Sequence, residues 1–169
     1  MTDTLHRILP QVQKPARYVG GEYNQIVKDK KNVDVRVAFC FPDTYEIGMS
    51  NIGMRILYGL MNEMPGVWCE RVFAPWGDME AEMRKHAIPL YALESHDPVK
   101  AFDLIAFTIG YEMSYTNILN MLELSCVPLL AREREGLENI VFAGGVCAVN
   151  PEPLADFIDF FSRSEERRV

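Results

Sequence analysis

Residues 35–53 read VRVAFCFPDTYEIGMSNIG, and this stretch decides the fold. Its first seven residues form a continuous apolar, β-rich run, as expected for a strand buried on both faces, and Pro42 ends the run. From residue 52 to 64, apolar residues recur at helical spacing and form one stripe: Ile52, Ile56, Leu57, Leu60, Met61 and Met64. In an open parallel sheet, loops that follow strands near a switch in strand order bind ligands. The default site is therefore the intervening loop, with the candidates Asp43, Tyr45 and Gly48.

The rest of the chain continues the alternation of strand and helix. Strands are predicted at residues 67–73, 104–109, 140–143 and 157–161, and the main helices between them at residues 79–87 and 114–126. Asp78 is placed to cap the first of these helices. Right-handed crossovers then give an α/β fold with a doubly wound, five-stranded parallel sheet of flavodoxin-like order 2-1-3-4-5, a Rossmann-like arrangement.

Further candidate residues lie where the later strands end. Trp76 follows the second strand, either as an apolar plug over the next helix or as a flat wall for a large ring ligand. Ser114 lies near a helix start, where hydroxyls cap the helix or bind the amides and phosphate of a ligand. Gly144 and Gly145 end the fourth strand, and without Cβ atoms they let a ligand or another backbone come close.

Composition limits the class of protein. The chain has 169 residues, of which 49% are hydrophobic and 24% are charged, and this length suits one well-buried domain. A net charge of -7 argues against nucleic acid as the main partner. No apolar run reaches the roughly 18 residues of a membrane span, and no signal-peptide core is present, so we expect a cytoplasmic protein. The four cysteines and three histidines are scattered, so no metal site is indicated.

Three regions are expected along the chain. Residues 1–32 are polar and interrupted by proline and glycine, which predicts an N-terminal arm. Residues 33–161 form the α/β domain. Residues 162–169 read SRSEERRV, and this is expected to be an aberrant or disordered tail.

Several common ligand motifs are absent from the first loop. Gly48 and Gly53 have the spacing of a P-loop, but Met54 and Arg55 stand where Lys and Ser or Thr are required. The Gly-x-Gly-x-x-Gly fingerprint of dinucleotide sites is also missing. The loop has too few hydroxyls for a flavodoxin phosphate site. A phospho-receiver domain would need an Asp at the end of the third strand, where Thr108 stands.

The ordered set of motifs resembles the cobalamin-binding fold. The first loop of that family often reads Asp-x-His-x-x-Gly, and residues 43–48 here read DTYEIG. The family also has a small hydroxyl residue that ends the third main strand and a Gly-Gly pair that ends the fourth, which Thr108 and the pair Gly144 and Gly145 resemble. The resemblance implies a bound cobalamin with its nucleotide tail near the glycines. Tyr45 replaces the histidine that ligates cobalt, so the cofactor is expected to bind without a protein histidine, since a phenol with a pKa near 10 is a poor ligand.

A wider resemblance covers residues 15–161. The runs PARYVGGE, FPDTYEIGMS, VFAPWGDME, SYTNILNML and AGGVCAVNPEPLADFIDFF look like the N-terminal part of a radical S-adenosylmethionine (radical SAM) protein family with a cobalamin-binding-like domain. Members of that family continue into a catalytic domain in the same chain, which binds S-adenosylmethionine and an iron–sulfur cluster through Cys-x-x-x-Cys-x-x-Cys. That motif is absent from these 169 residues, so we expect this chain to be inactive alone.

Three functions stay open at this point. The domain can present cobalamin to a catalytic domain in the same polypeptide, which we favour. It can also be a free-standing cobalamin carrier, or a ligand-free docking and substrate-shaping module of the same fold.

In the family the last strand leads into a Gly-Glu-rich run, and reading purine-rich Gly and Glu codons one base out gives Arg, Ser and Glu. The tail SRSEERRV therefore suggests a frameshift, with a genuine charged tail as the alternative.

Overall fold

Five parallel strands form the centre of the molecule. The computed structural model describes residues 2–134, 136 and 138–163, so the predicted tail lies, apart from its first two residues, outside the described residues. The strands are β1 Val35–Phe41, β2 Val67–Phe73, β3 Leu104–Thr108, β4 Ile140–Gly144 and β5 Phe160–Ser162. They pair in parallel in the order β2-β1-β3-β4-β5. The predicted α/β fold and strand order are confirmed.

Each of the first three connections between strands contains one main helix. They are α1 Thr2–Ile8, α2 Tyr45–Ser50, α3 Ile52–Glu63, α4 Gly77–Lys85 and α5 Tyr115–Leu124, joined by short 3-10 turns. Asn51 separates α2 from α3 and caps the second helix, because its side-chain oxygen accepts a hydrogen bond from the Met54 amide at 2.9 Å. None of the helices in the described residues is long and apolar enough to cross a membrane.

The first face of the sheet is fully covered. Ala38 and Cys40 of β1 point to this face and pack in one core with Met79 and Met83 of α4, and with Ile118, Met121 and Leu122 of α5. The N-terminal segment belongs to the same core through Leu5, Ile8, Leu9, Val12 and Tyr18. The segment that connects β4 to β5 adds Cys147, Leu154 and Ile158. The first face therefore carries every crossover after β2.

The second face is covered over part of its width. Val37 and Phe39 of β1 and Cys69 of β2 pack here against Met54 and Tyr58 of α3. The apolar stripe predicted for this helix does not face the sheet: Ile52, Ile56, Leu57, Leu60 and Met64 are between 46% and 70% exposed. The side that faces the sheet is held partly by Asn62, whose amide bonds both the N–H and the C=O of Cys69. The sequence predicted the helix, but it did not predict which side of the helix is buried.

Three predicted details are wrong. Asp78 does not cap α4, because the helix begins at Gly77 and the Asp78 carboxylate accepts hydrogen bonds from the amides of Gln13, at 2.6 Å, and Met79. Ala87 lies beyond the end of that helix, exposed and with a φ of 50°. The last strand begins at Phe160 instead of residue 157, since the preceding residues turn through hydrogen bonds from the Phe157 and Ile158 amides to Leu154.

Strand β2 is at one edge of the sheet, and buried ion pairs protect it. The Glu94 carboxylate accepts the Arg71 amide at 2.7 Å and the Arg71 guanidinium at 2.6 Å. On the first face, Glu70 pairs with Arg36 and accepts the Ser95 amide. Edge strands with free N–H and C=O groups promote aggregation. The Arg71 amide, bonded to Glu94, and the Arg71 carbonyl, which accepts the Leu93 amide at 2.9 Å, are therefore not free to pair with another chain.

Candidate functional site

The carboxyl edge of the sheet has its switch point between β1 and β3. The chain leaves β1 toward β2, whereas β3 lies on the opposite side of β1. Two side chains bridge this crevice: the Tyr111 hydroxyl donates to the Asp43 carboxylate, and the Asn117 amide donates to the Pro42 carbonyl at 2.9 Å. The hydrogen bond to Asp43, followed by burial, raises the pKa of Tyr111. The predicted ligand crevice is therefore partly closed by the protein's own side chains.

Asp43 holds the first loop in shape. Its carboxylate accepts the Thr44 amide at 2.6 Å, and its carbonyl accepts the Ala74 amide at 3.0 Å. The loops after β1 and β2 are thereby tied together, and Tyr111 adds the loop after β3. The arrangement gives Asp43 a positioning role at the edge where the three loops meet.

Tyr45 points toward β2 and the N-terminal segment. Its ring packs edge-on against Phe73, with centroids 5.4 Å apart, and its hydroxyl donates to Glu22 at 3.0 Å. Burial, followed by the hydrogen bond to Glu22, raises the pKa of Tyr45 to about 12. The phenol is thus protonated at neutral pH and already bonded.

Gly48 is required by packing between α2 and the sheet. A Cβ atom built on Gly48 would overlap the Phe73 ring and lie 3.2 Å from a ring carbon of Phe41. Both rings are buried. Glycine at this position therefore lets the helix approach the carboxyl ends of β1 and β2.

A cavity of about 690 Å³ opens on the second face at the carboxyl edge. It brings together three predicted site residues, Thr108, Gly144 and Gly145, from the ends of β3 and β4. Its remaining walls are mostly apolar and come from the sheet, from α3 and from the segment after β4, notably Phe39, Leu57, Met61, Phe142, Val146 and Val149. The cavity is thus a mostly apolar space, and at its strand-end side lie the hydroxyl residues Thr108 and Ser162, Arg163 and the two glycines.

The two glycines of this cavity have different roles. Gly145 has a φ of 108°, and a Cβ there would lie 2.6 Å from the Ile109 carbonyl oxygen and 3.0 Å from the Ile109 amide nitrogen. A Cβ on Gly144 would meet nothing closer than 3.4 Å, the carbonyl oxygen of Ser162. The fold itself requires glycine at 145 but has room for a side chain at 144. Gly144 therefore leaves space that the protein does not fill.

Trp76 and Ser114 lie outside this cavity. The Trp76 indole is half exposed under the Arg17 guanidinium, 5.6 Å from the ring centre, and the Trp76 amide donates to the Tyr18 hydroxyl. Ser114 is buried, and its hydroxyl donates to the Tyr111 carbonyl at 2.7 Å. The eight predicted residues therefore separate into a cavity group of three and five residues that shape loops or packing.

The sequence did not predict the apolar residues that line the cavity, although two features of the sequence indicate them. Phe142 and Gly144 are two residues apart on β4, so they share a face, and Leu57 belongs to the stripe identified on α3. Among the described residues, no three His, Cys, Asp or Glu side chains are grouped to hold a metal ion. None of the three histidines lines the cavity. A metal-bearing ligand here would keep its metal without help from a histidine of the described residues.

A larger cavity of about 890 Å³ lies between the N-terminal segment and the other side of α3. Two of its three charged lining residues are paired with each other, since Arg71 contacts Glu22 at 2.8 Å and also Glu94 at 2.6 Å; Arg55 is the third. Its walls include no residue of β3 or β4. We therefore place the candidate site in the smaller cavity, where the strand ends converge.

Comparison with known proteins identifies the family. Residues 53–168 match the family described as radical SAM proteins, N-terminal. Over 127 residues the chain is 26% identical to the uncharacterized protein MJ0966 of Methanocaldococcus jannaschii; the match covers 74% of this chain and 22% of that protein. The chain thus spans about a fifth of the length of this relative, and no solved structure matches it. The chain belongs to the family of N-terminal domains of radical SAM proteins.

Proposed function

We propose that this domain binds a corrinoid such as cobalamin and presents it to a radical SAM catalytic domain of the same polypeptide. The observation that carries the proposal is the unfilled space at Gly144, in a cavity at the carboxyl edge of a doubly wound sheet. Ligands of such sheets bind at this edge. The cavity would hold the nucleotide tail of the corrinoid.

The cavity suits a flat, mostly apolar group with a polar end. Its volume of about 690 Å³ lies within the usual range for ligand pockets, roughly 300–1,000 Å³. Leu57 and Met61 of α3 face Phe142 of β4 across it, and these walls match the base at the end of a cobalamin tail. The Thr108 hydroxyl lies at the strand end, where the sugar and phosphate of the tail would need hydrogen-bond partners.

The protein side supplies binding and orientation, and it does not supply a ligand to cobalt. Tyr45, which occupies the position of the histidine in the cobalamin motif, bonds to Glu22, and its pKa of about 12 keeps it protonated. A bound corrinoid would supply a cobalt centre able to carry and transfer an alkyl group. Asp43 and Tyr111 bond to each other and hold the loops after β1 and β3 together at this edge.

The catalytic chemistry would belong to the rest of the polypeptide. S-adenosylmethionine and its iron–sulfur cluster need the Cys-x-x-x-Cys-x-x-Cys motif, which these 169 residues lack. Two findings support a catalytic domain in cis: the family is an N-terminal one, and the relative is several times longer than this chain. A free-standing carrier would bind the corrinoid equally well, and the size of the polypeptide made in cells separates the two.

Equilibrium dialysis against hydroxocobalamin tests the proposal. The wild-type chain should retain the red corrinoid, and Gly144→Val should retain far less, because the added side chain enters the cavity. Gly59→Val is the matched control, since a Cβ on Gly59 meets nothing within 4 Å and that residue lines the other cavity. A wild-type chain that retains no corrinoid, or equal binding by all three proteins, would refute the proposal.

A ligand-free docking domain is the second candidate. The observation that favours it is the exposed apolar stripe of α3, which would serve as a contact surface in a protein without any cofactor. The dialysis experiment separates the two, because a pure docking domain would remain colourless at every corrinoid concentration.

A further inference from the structure

An apolar trough runs along the second face of the sheet beside α3. One wall is the free side of that helix, where Leu57 is 46% exposed and Leu60 is 54% exposed. The floor is the sheet, where the rings of Phe142 and Phe160 stack 5.0 Å apart and Phe160 is 48% exposed. The cavity of the candidate site is the end of this trough at the carboxyl edge.

Such exposure is unusual for this kind of sheet. All-parallel sheets are covered on both faces. Here the first face is covered by α4, α5 and the segment after β4, whereas among the described residues the helices on the second face are α3 and the short α2, which pack beside β1 and β2. A continuous apolar surface of this kind marks a contact with another element.

The width of the trough corresponds to one helix. Neighbouring strands lie about 4.8 Å apart, so β4, two strands away from β1, lies about 10 Å from it. Packed helices lie about 8–10 Å apart. A helix beside α3 would therefore lie over β3 and β4, and its apolar side would meet Phe142 and Phe160.

The handedness of the crossovers indicates which part of the polypeptide enters. The connection from β1 to β2 runs across the sheet in one direction and places α3 on the second face. The later connections, from β2 to β3, from β3 to β4 and from β4 to β5, run in the opposite direction and lie on the first face. A chain that leaves β5 and turns back toward β1 would, with the same right-handed rule, run over the second face. Ser162 and Arg163, at the end of β5, already line the trough.

We propose that the polypeptide that follows β5 in the intact radical SAM protein forms an amphipathic helix that packs in this trough. The matched segment is 22% of the relative MJ0966, and the family is one of N-terminal domains, so most of such a polypeptide is expected to follow β5. The helix would cover the exposed side chains of Leu57, Leu60 and Phe160. This inference does not depend on corrinoid binding, because it rests on the exposed surface and the topology.

Site-specific photo-crosslinking in the intact polypeptide tests the inference without any corrinoid. Benzoylphenylalanine replaces Leu60 in one variant, and it replaces Lys85, an exposed residue of α4 on the other face, in the control. We expect position 60 to cross-link to a peptide that follows residue 163 of the same molecule, and position 85 not to do so. A mixture of isotopically light and heavy protein distinguishes cross-links within a molecule from those between two copies.

The other outcomes would overturn the inference. They are a cross-link from position 60 to a second copy, a cross-link to a segment that precedes β5, or none at all. A complementary measurement uses the 169-residue chain, whose trough should bind the apolar dye ANS; Leu60→Glu should remove most of that fluorescence without changing the far-UV circular dichroism. Unchanged fluorescence would contradict an accessible trough. Neither result bears on hydroxocobalamin retention, so the two proposals can fail separately.

Discussion

Replacing each of the adjacent glycines Gly144 and Gly145 by alanine gives the sharpest test of how the cavity is built. Gly145→Ala places a residue with a side chain at a φ of 108°, which costs about 1–3 kcal/mol. Its Cβ also meets Ile109, whose amide donates to Gly144 at 2.7 Å and whose carbonyl accepts from Cys147 at 3.2 Å. Because Ile109 is held on both sides, it cannot move away, and overpacking adds about 1–3 kcal/mol.

Gly144→Ala should behave in the opposite way. The backbone at Gly144 has no positive φ, and the nearest atom to a new Cβ is at an ordinary contact distance of 3.4 Å. A compatible Gly→Ala change stabilises a protein by about 0.4–1 kcal/mol. In the proposed complex, however, the methyl group would occupy the space of the ligand, and overpacking of about 1–3 kcal/mol corresponds to a Kd about 5–150 times weaker.

Thermal unfolding and equilibrium dialysis measure these two effects. For a chain of this size, 1 kcal/mol shifts Tm by about 2–4 °C, so we expect Gly145→Ala to lower Tm by about 4–24 °C and Gly144→Ala to leave it unchanged or slightly raised. Hydroxocobalamin should bind Gly144→Ala more weakly than the wild type. Equal destabilisation by both substitutions would refute the assignment of roles, and wild-type affinity in Gly144→Ala would refute the position of the ligand.

Three further predictions concern the scaffold and the first loop. Asn62→Ala should lower the free energy of unfolding by about 1–3 kcal/mol, because the N–H and C=O of Cys69 lose their buried partner; the urea midpoint should fall with an unchanged slope. Hydrogen bonds from Arg17 and, to a smaller extent, from Lys14 lower the pKa of Glu46 from 4.5 to about 2. The ionised Glu46 carboxylate therefore contributes to stability above pH 4.5, and this contribution is lost as the pH falls toward 2. Glu46→Gln should therefore flatten the dependence of the urea midpoint on pH in that interval, and an unchanged acid limb would contradict the contact. Tyr45→His should bind hydroxocobalamin without the absorption change of histidine ligation, since position 45 faces Phe73 and Glu22; a ligation spectrum would show that the loop can turn.

The strand pattern could be predicted because each main strand has a local cause. The run of seven residues before Pro42 is apolar on both faces, and β1 and β2 have the bounds that the sequence indicates. Strand order then follows from handedness, a rule that does not depend on particular side chains. The last strand is less well predicted, since Phe157 and Ile158 are apolar but bond back to Leu154 in a turn.

The direction of side chains could not be predicted, because it depends on partners that are distant in sequence. Helix α3 is apolar on more than one side, and what turns its Tyr58 side inward is the pairing of Asn62 with Cys69. The motif frame indicated Tyr45 as a site residue, but Glu22 of the N-terminal segment and Phe73 of β2 decide where it points. The spacing of residues along the chain gives no information about those contacts.

The measurement that tests the central proposal most directly compares two corrinoids on the wild-type chain. Hydroxocobalamin carries the nucleotide tail, whereas cobinamide has the same ring without it. If the cavity beside Gly144 and Thr108 holds the tail, hydroxocobalamin will be retained in equilibrium dialysis and cobinamide will bind much more weakly. Equal retention of the two corrinoids, or retention of neither, would contradict the account.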